Sequence, residues 1–268
     1  MNREQLIQQI HHKQSFLCVG LDPDIQKIPL HLKETQDPIY EFCKEIIEQT
    51  QDLAVAYKPN LAFFECLGPK GWETLEKVKA CIPSHCFTIA DAKRGDIGNT
   101  STMYAKAFFE FFNFDAVTVA PYMGRDSVEP FLSYDDKWVI VLGLTSNQGA
   151  QDFEMLDIGG EKLYEKVITT VASWGSSQNT MFVIGATHPH LVKQVRALVP
   201  DYFFLVPGVG AQGGDMKMTC ENGKNQDIGL LINSSRNILY ASSDENFGLS
   251  ARQACLSILD EMKPFLLK

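Results

Sequence analysis

Charged side chains of alternating sign are concentrated in residues 87–100, where a short apolar run gives way to the sequence DAKRGDIGNT. The apolar part is typical of a buried parallel strand, and we expect the charged part to form the turn that leaves its C-terminal end. Residues two apart on a strand share a face, so Asp91 and Lys93 are predicted to project towards one point, with Asp96 returning from the turn. An ammonium group placed there could stabilise a developing negative charge and then deliver a proton.

The plainer interpretation of an Asp-x-Lys triplet is a set of solvated loop charges. Two local features favour a functional site instead. Gly95 and Gly98 allow the backbone to turn tightly, and Asn99 with Thr100 offers an N-terminal cap for a helix that continues to residue 111. A strand, a charged turn and a capped helix form one βα unit, which is where α/β enzymes keep their chemistry.

The composition of the chain sets limits on its class and its partners. A chain of 268 residues with 45% hydrophobic residues can bury one large core, and we expect a single domain over residues 1–268. The formal net charge of −9 argues against nucleic acid or an anionic membrane as a partner, because no basic block exists to neutralise phosphates. A small anionic substrate remains compatible with this charge if a few cations are placed locally.

The cysteines and the termini indicate the compartment. The seven cysteines are scattered singly, and their number is odd. Both features argue against a disulfide framework and against a zinc site. The N-terminal residues lack the apolar run of a signal peptide, and no apolar stretch approaches membrane-spanning length. We therefore expect a soluble, reduced, cytoplasmic protein with neither metal nor membrane partner.

Apolar segments with the length of strands alternate with helical patterns along the whole chain. Eight such strands in roughly 250 residues fit a (β/α)₈ TIM barrel better than an open sheet. For the eighth strand, residues 229–233 and 237–241 are both candidates, and we prefer the first. The other predicted strands are 16–21, 53–57, the apolar run from 87, 115–120, 138–144, 181–186 and 202–206.

In a barrel of this kind, active sites lie at the C-terminal ends of the strands. Taken alone, Asp22 could merely cap a turn before Pro23, and Lys58 could be a surface lysine. The barrel hypothesis instead predicts that the polar residues at or beyond the strand ends converge on one mouth: Asp22, Lys58, Asp91, Lys93, Ser146, Gln212 and Arg236.

The loops after the predicted strands seven and eight suggest a phosphate site. The first of these loops is the glycine-rich segment 208–215, and the second contains Ser234, Ser235 and Arg236. Backbone N–H groups and an arginine can hold a phosphate dianion at this position in such barrels. The alternative is a mobile glycine loop with an exposed arginine. A phosphorylated small molecule is the interpretation we favour.

The ordered set of motifs resembles the orotidine 5′-phosphate decarboxylase family, in particular its bacterial subgroup with the DAKRGDIGNT signature. The likeness covers nearly the whole chain and includes GLDP at 20–23, YKPN at 57–60, APYMG at 120–124, TSN at 145–147, PGVGAQGGD at 207–215 and NSSR at 233–236. The resemblance implies decarboxylation of orotidine 5′-phosphate (OMP) to uridine 5′-phosphate (UMP), the last step of UMP synthesis, without metal or organic cofactor.

The resemblance also implies a role for each site residue. Lys93 is expected to donate the proton to C6 of the pyrimidine, Asp91 to lie near the departing carboxylate, and Lys58 to join the charge network. The expected binding contacts are Asp22 to the ribose, Ser146 to the pyrimidine amide edge, and Gln212 and Arg236 to the phosphate. Asp96 and Thr100 are expected to reach the neighbouring subunit's site, which implies a homodimer with shared active sites.

Three other functions stay open at this point. Sugar-phosphate lyases of the same barrel superfamily share the Asp-x-Lys-x-x-Asp strand end but require a divalent metal. A Schiff-base aldolase could use Lys58 or Lys93 as a nucleophile, although flanking acids favour a protonated Lys93. A catalytically silent nucleotide-binding barrel is the third, and it would not need both lysines.

Overall fold

The computed structural model describes residues 1–187, 189–209 and 214–266. Eight parallel strands form a closed barrel in chain order, and β1 completes the ring by pairing with β8. The predicted (β/α)₈ barrel is therefore confirmed. The strands are β1 Leu17–Leu21, β2 Ala56–Pro59, β3 Phe87–Arg94, β4 Ala116–Val119, β5 Trp138–Leu144, β6 Thr180–Ile184, β7 Phe203–Pro207 and β8 Leu230–Ser234.

Helices follow the strands and cover the outside of the barrel. Most have one buried apolar face, as in α2, where every third or fourth side chain packs inwards. In the described residues the helices are α1 Arg3–Lys13, α2 Pro38–Thr50, α3 Ala62–Glu65, α4 Pro69–Cys81, α5 Gly98–Ala105, α6 Arg125–Leu132, α7 Leu163–Ala172, α8 Pro189–Leu198, α9 Met216–Gly223, α10 Arg236–Leu239 and α11 Phe247–Leu266.

Helix α1 closes the end of the barrel at which the strands begin. Asn2 forms a capping box at its start, and Leu6 and Ile10 are fully buried. The guanidinium of Arg3 donates a hydrogen bond of 3.0 Å to Asp227, shortly before β8. With this end covered, the carboxyl ends of the strands form the open mouth.

The strand that carries the charged motif extends further than the sequence predicted. We expected the strand to stop at Asp91, but β3 continues through Arg94. Its register against β4 shifts, because Ala90 pairs with Val117 whereas the next pair is Arg94 with Val119. Three residues of β3 thus face one residue of β4, and this bulge turns the charged side chains at the strand end.

Two further local predictions were wrong. Lys58 was expected just after its strand but lies within β2, because residues 53 and 54 still hydrogen-bond back to the end of α2. Asn99 and Thr100 were expected to cap a helix, but α5 already begins at Gly98 and its cap position is Ile97. Residues 106–111 then continue α5 as a π-helical turn, so the predicted helical stretch to residue 111 is present.

The choice of the eighth strand was correct. Residues 230–234 form β8, whereas the competing apolar run falls in the short helix α10 and the turn that follows it. The remaining strands start or end within two residues of the predicted positions. None of the helices in the part of the chain described here is both long and apolar enough to cross a lipid bilayer.

Candidate active site

The predicted polar residues meet at the mouth because parallel strands bring their carboxyl ends to one edge. Asp22 directly follows β1, and Arg236 follows β8, the neighbouring strand in the closed ring. Lys58 lies on β2 and the pair Asp91 and Lys93 on β3. Residues separated by more than 200 positions in sequence thus line one opening.

A carboxylate between two ammonium groups lies at the centre of the mouth. The Nζ atom of Lys58 is 2.6 Å from Oδ2 of Asp91, and the Nζ atom of Lys93 is 2.5 Å from Oδ1 of the same carboxylate. The side chains of Lys58 and Asp91 are 7% and 9% exposed, whereas that of Lys93 is 51% exposed. The predicted convergence of these three residues is thus observed, with one lysine buried and the other facing the opening.

Both members of the buried pair are ionised. Burial by itself raises the pKa of Asp91, but the charges and hydrogen bonds of Lys58 and Lys93 outweigh it, so this pKa lies well below its ordinary value. Burial by itself lowers the pKa of Lys58, but the carboxylates of Asp91 and Asp22 outweigh it and raise that pKa. The pair of Lys58 and Asp91 therefore keeps its opposite charges over the physiological pH range.

The backbone at Lys93 has a left-handed conformation that β-strand residues rarely adopt. Its φ angle is +48°, which for a residue other than glycine is uncommon. The position coincides with the bulge between β3 and β4. The irregular backbone thus lies at the residue whose ammonium contacts Asp91.

One cavity of about 160 Å³ opens on the side of β1 and β8. It has a polar lining that includes Asp22, Lys58, Asn60, Ser235 and Arg236. The Oδ1 atom of Asp22 is buried but has no hydrogen-bond partner among the described residues. A buried carboxylate oxygen of this kind calls for a donor from a ligand, such as a sugar hydroxyl.

One wall of this cavity forms where the end of β1 packs closely against the residues that follow β8. A Cβ atom added at Gly20 would lie 1.9 Å from the hydroxyl oxygen of Ser235, so a larger residue there would force Ser235 to move. The hydroxyl of Tyr240 donates to the carbonyl of Asp22 and accepts from the N–H of Asp24, each at 2.8 Å. These contacts fix the loop after β1 beside the loop after β8.

A second cavity of about 410 Å³ opens on the other side of the cluster. Its lining combines apolar side chains, including Leu142, Val183 and Leu205, with Lys93 and Ser146. The two cavities share Lys58, Asp91 and Pro207 as a common wall. The site therefore suits a molecule with a partly apolar end and a polar, anionic end.

The loop that carries Ser146 is anchored by a carboxylate from the following segment. Glu154 accepts hydrogen bonds of 2.7 Å from both the N–H and the hydroxyl of Thr145. A Cβ atom at Gly185 would lie 2.8 Å from Ser146, so this glycine lets the loop pack against the end of β6. Segment 151–160, to which the sequence suggested no role, thus supports the second cavity through Glu154.

Two predicted site residues, Asp96 and Thr100, lie outside this cluster. The carboxylate of Asp96 accepts the N–H of Ile97 at 2.7 Å, and no ion pair among the described residues includes it. Thr100 lies in the first turn of α5, beyond Asp96. Gln212 falls outside the described residues, as does part of the glycine-rich loop.

Sequence reasoning overlooked several residues of the mouth. Thr118 is fully buried and its hydroxyl contacts both Asp91 and Lys93. In the sequence, the feature that could have indicated this role is the single hydroxyl side chain of Thr118 within the predicted strand 115–120. Tyr240 and Glu154 gave no comparable signal, because their roles depend on loops that meet only in the folded chain. Within the described residues, no group of three or more His, Cys, Asp or Glu side chains is arranged to hold a metal ion.

The closed barrel and its mouth define a class: (β/α)₈-barrel proteins with a hydrogen-bonded Lys-Asp-Lys cluster between two cavities at the strand ends. More narrowly, the chain belongs to the Orotidine 5'-phosphate decarboxylase / HUMPS family, which matches residues 15–247. The family suggested by the sequence motifs is thereby confirmed.

Close relatives extend over nearly the whole chain. The orotidine 5'-phosphate decarboxylase of Flavobacterium johnsoniae is 57% identical over 265 residues, which cover 98% of this chain and 97% of that protein. The protein of the same name from Porphyromonas gingivalis is 48% identical over 268 residues, with 98% and 97% coverage.

Solved structures agree with the fold. The OMP decarboxylase of Leishmania donovani superimposes with a TM-score of 0.86 at 38% identity, and the alignment covers 99% of each chain. The UMP synthase of the same organism gives a TM-score of 0.89 at 40% identity. That chain is longer: the alignment covers 99% of this chain but only 57% of the synthase.

Proposed function

We propose that this chain catalyses the decarboxylation of orotidine 5′-phosphate to uridine 5′-phosphate. The observation that carries the proposal is the Lys58–Asp91–Lys93 cluster, which separates a polar cavity from a partly apolar one. The substrate has matching parts: an anionic ribose phosphate, a pyrimidine ring, and a carboxylate on the ring carbon that lies between them.

The chemical step requires a cation where negative charge develops. When the bond between C6 and the carboxyl carbon breaks, its electron pair stays on C6 and carbon dioxide leaves. The ammonium of Lys93 stabilises this pair and transfers a proton to C6, which leaves the amine neutral until solvent reprotonates it. Lys93 suits this role because its side chain is half-exposed at the opening while its Nζ is held at Asp91.

Asp91 and Lys58 prepare the site for this step. The ionised carboxylate of Asp91 disfavours the substrate carboxylate nearby and no longer opposes the product, which has lost that charge. Lys58 neutralises the second oxygen of Asp91 from the buried side at 2.6 Å. The buried lysine thus keeps Asp91 ionised in a place where desolvation would otherwise favour its protonation.

The two cavities bind the two ends of the nucleotide. Arg236 and the hydroxyls of Ser234 and Ser235 line the phosphate end of the polar cavity. The family resemblance assigns Gln212 to the same phosphate. Asp22 accepts a ribose hydroxyl at its unpartnered buried oxygen. In the second cavity Ser146 contacts the amide edge of the pyrimidine beside apolar side chains.

A homodimer with shared sites completes the proposal. Asp96 and Thr100 lie beside two exposed apolar side chains, those of Ile97 and Met103, which are 55% and 57% exposed. Burial of such side chains against a second copy is favourable and brings Asp96 and Thr100 towards the partner's mouth. We place the enzyme in the cytoplasm, where its nucleotide substrate and product belong to pyrimidine metabolism, and assign it no metal or organic cofactor.

The experiment is an assay with purified, EDTA-treated protein. On mixing with orotidine 5′-phosphate, we expect a fall in the absorbance of the substrate and a stoichiometric yield of uridine 5′-phosphate. Unchanged substrate in the presence of folded protein would reject the proposal. Turnover of a sugar phosphate that appears only after magnesium is added would favour the metal-dependent lyases of the same barrel superfamily.

A further inference from the structure

The bulge in β3 leaves one backbone group without its normal partner. Between the pairs Ala90 with Val117 and Arg94 with Val119, β3 contains two residues more than β4. The N–H of Lys93 therefore has no carbonyl of β4 opposite it, and it donates to the side chain of Thr118 at 2.9 Å. A threonine hydroxyl replaces the missing acceptor of the sheet.

The direction of the second hydrogen bond at this hydroxyl follows from the first. A backbone N–H can only donate, so the oxygen of Thr118 accepts from Lys93 and its own hydrogen is free for another acceptor. The nearest is Oδ1 of Asp91 at 3.1 Å, the same oxygen that faces the ammonium of Lys93. The hydroxyl thus joins the backbone of one site residue to the carboxylate of the other.

This bridge supports a conformation that the chain would otherwise avoid. Lys93 has a φ of +48°, which is unfavourable for a non-glycine residue unless its surroundings hold it. Thr118 is completely buried, so neither of its two hydrogen bonds is weakened by competition from water. Loss of either hydrogen bond of the Thr118 hydroxyl would move the ammonium of Lys93 relative to Asp91.

We infer that Thr118 is a positioning residue for the decarboxylation: its hydroxyl locks the bulged backbone of Lys93 and one oxygen of Asp91 into the geometry needed for proton delivery to C6. This inference rests on the proposed function, but the hydrogen bonds it concerns can be tested without turnover. Thr118 acts through the two charged residues, and no contact with the substrate is required of it.

The chain provides a matched control in Thr88. This threonine is also buried, and its hydroxyl likewise accepts a backbone N–H, that of Asp115 at 3.0 Å, and donates to a carboxylate, again that of Asp115, at 2.8 Å. It lies near the start of β3, away from the mouth. Loss of its hydroxyl removes the same kind of interaction without touching the site.

The first test compares Thr118→Val, Thr118→Ser and Thr88→Val in the OMP assay. We expect Thr118→Val to lower kcat about 10-fold to 100-fold with KM changed less than about threefold, because misplacement of a reacting group affects the chemical step more than binding. Thr118→Ser, which keeps the hydroxyl, should stay within about threefold of wild type in kcat, and so should Thr88→Val. Equal kcat for Thr118→Val and wild type would overturn the inference.

The second test is hydrogen exchange at the amide of Lys93, measured by NMR. Loss of the acceptor in Thr118→Val should speed this exchange about 10-fold or more, whereas Thr88→Val should leave it unchanged. Unchanged protection in Thr118→Val would overturn the inference. If Thr118→Val fails to fold, Thr118→Ala removes the same hydroxyl and takes its place. A wild-type protein without OMP turnover would reject the proposed function, while the exchange result would still decide the role of Thr118.

Discussion

The ammonium of Lys58 lies 2.6 Å from Oδ2 of Asp91, and both side chains are more than nine-tenths buried. The other oxygen of this carboxylate faces Lys93, whose side chain is half-exposed. Asp91 therefore connects a fixed, buried cation to one that borders the opening. This asymmetry assigns different tasks to the two lysines, since only Lys93 is placed to exchange a proton with a bound substrate and with solvent.

Replacement of Lys93 by alanine should abolish turnover and leave the fold intact. Without the ammonium, the charge that develops on C6 has neither a stabilising cation nor a proton donor, so kcat/KM should fall on the order of 10³-fold or more. Circular dichroism and product analysis check the two parts of this prediction. Lys263→Ala removes an exposed lysine paired with Asp260 and should leave kcat/KM unchanged. Substantial UMP formation by folded Lys93→Ala would remove Lys93 from its assigned role.

Replacement of Arg236 by alanine should weaken the capture of phosphorylated substrate. We expect kcat/KM for OMP to fall about 100-fold, equivalent to about 3 kcal/mol in ΔΔG‡, because a charge-assisted contact with the phosphate is lost. With orotidine, which lacks the phosphate, wild type and variant should react equally slowly. Arg252→Ala, which breaks a surface ion pair with Asp52, serves as the control. An unchanged kcat/KM for OMP in Arg236→Ala would remove Arg236 from the phosphate subsite.

The buried ion pair should contribute a stability that does not depend on pH near neutrality. The pKa of Asp91 is lowered, so its contribution is complete above the unfolded value near pH 4 and is lost as the pH falls below it. The pKa of Lys58 is raised, so its contribution is complete below the unfolded value near pH 10 and is lost as the pH rises through the folded value.

Urea unfolding of wild type and Lys58→Met tests this window. The free energy of unfolding should be about 3 kcal/mol lower in the variant, because the carboxylate of Asp91 loses its buried partner. Without Lys58, desolvation favours protonation of Asp91, so this difference should narrow as the pH falls from about pH 9 to about pH 5. A difference that widens as the pH falls across that range would contradict the ionisation assigned to the pair.

The proposed homodimer with shared sites predicts complementation between two inactive variants. Lys93→Ala and Asp96→Ala homodimers should each be nearly inactive, but mixing and exchange of subunits should restore about one quarter of wild-type activity. Half of the dimers are then mixed, and each of these has one intact site. Sedimentation measures the dimer and the OMP assay measures recovery. Absence of recovery after proven subunit exchange would contradict sites built from two chains.

The barrel was predictable because each strand is a short apolar run followed by polar turn residues. The competing runs 229–233 and 237–241 show the limit of this reasoning. Both are apolar, yet only the first becomes a strand, and Tyr240 within the second has its hydroxyl bound to the carbonyl of Asp22. Tertiary contacts decide which of the two runs becomes a strand, and such contacts cannot be read from local composition.

The charged residues of the mouth were predictable for a similar reason, since strand ends converge in any parallel barrel. The details of the cluster were not. Strand alternation placed Asp91 and Lys93 on one side, but the bulge and the φ of +48° at Lys93 depend on Thr118 of the neighbouring strand. Sequence alternation describes regular strands, and a bulge departs from that regularity.

The central claim is that this chain removes the carboxyl group of orotidine 5′-phosphate and replaces it with a proton at C6. The most direct measurement is a reaction in D₂O with EDTA-treated protein, in which carbon dioxide is quantified and the nucleotide is examined by NMR. We predict one carbon dioxide released for each uridine 5′-phosphate formed, with a single deuterium at C6 delivered by the exchanged ammonium of Lys93. Folded protein that releases no carbon dioxide from the substrate would contradict the assignment.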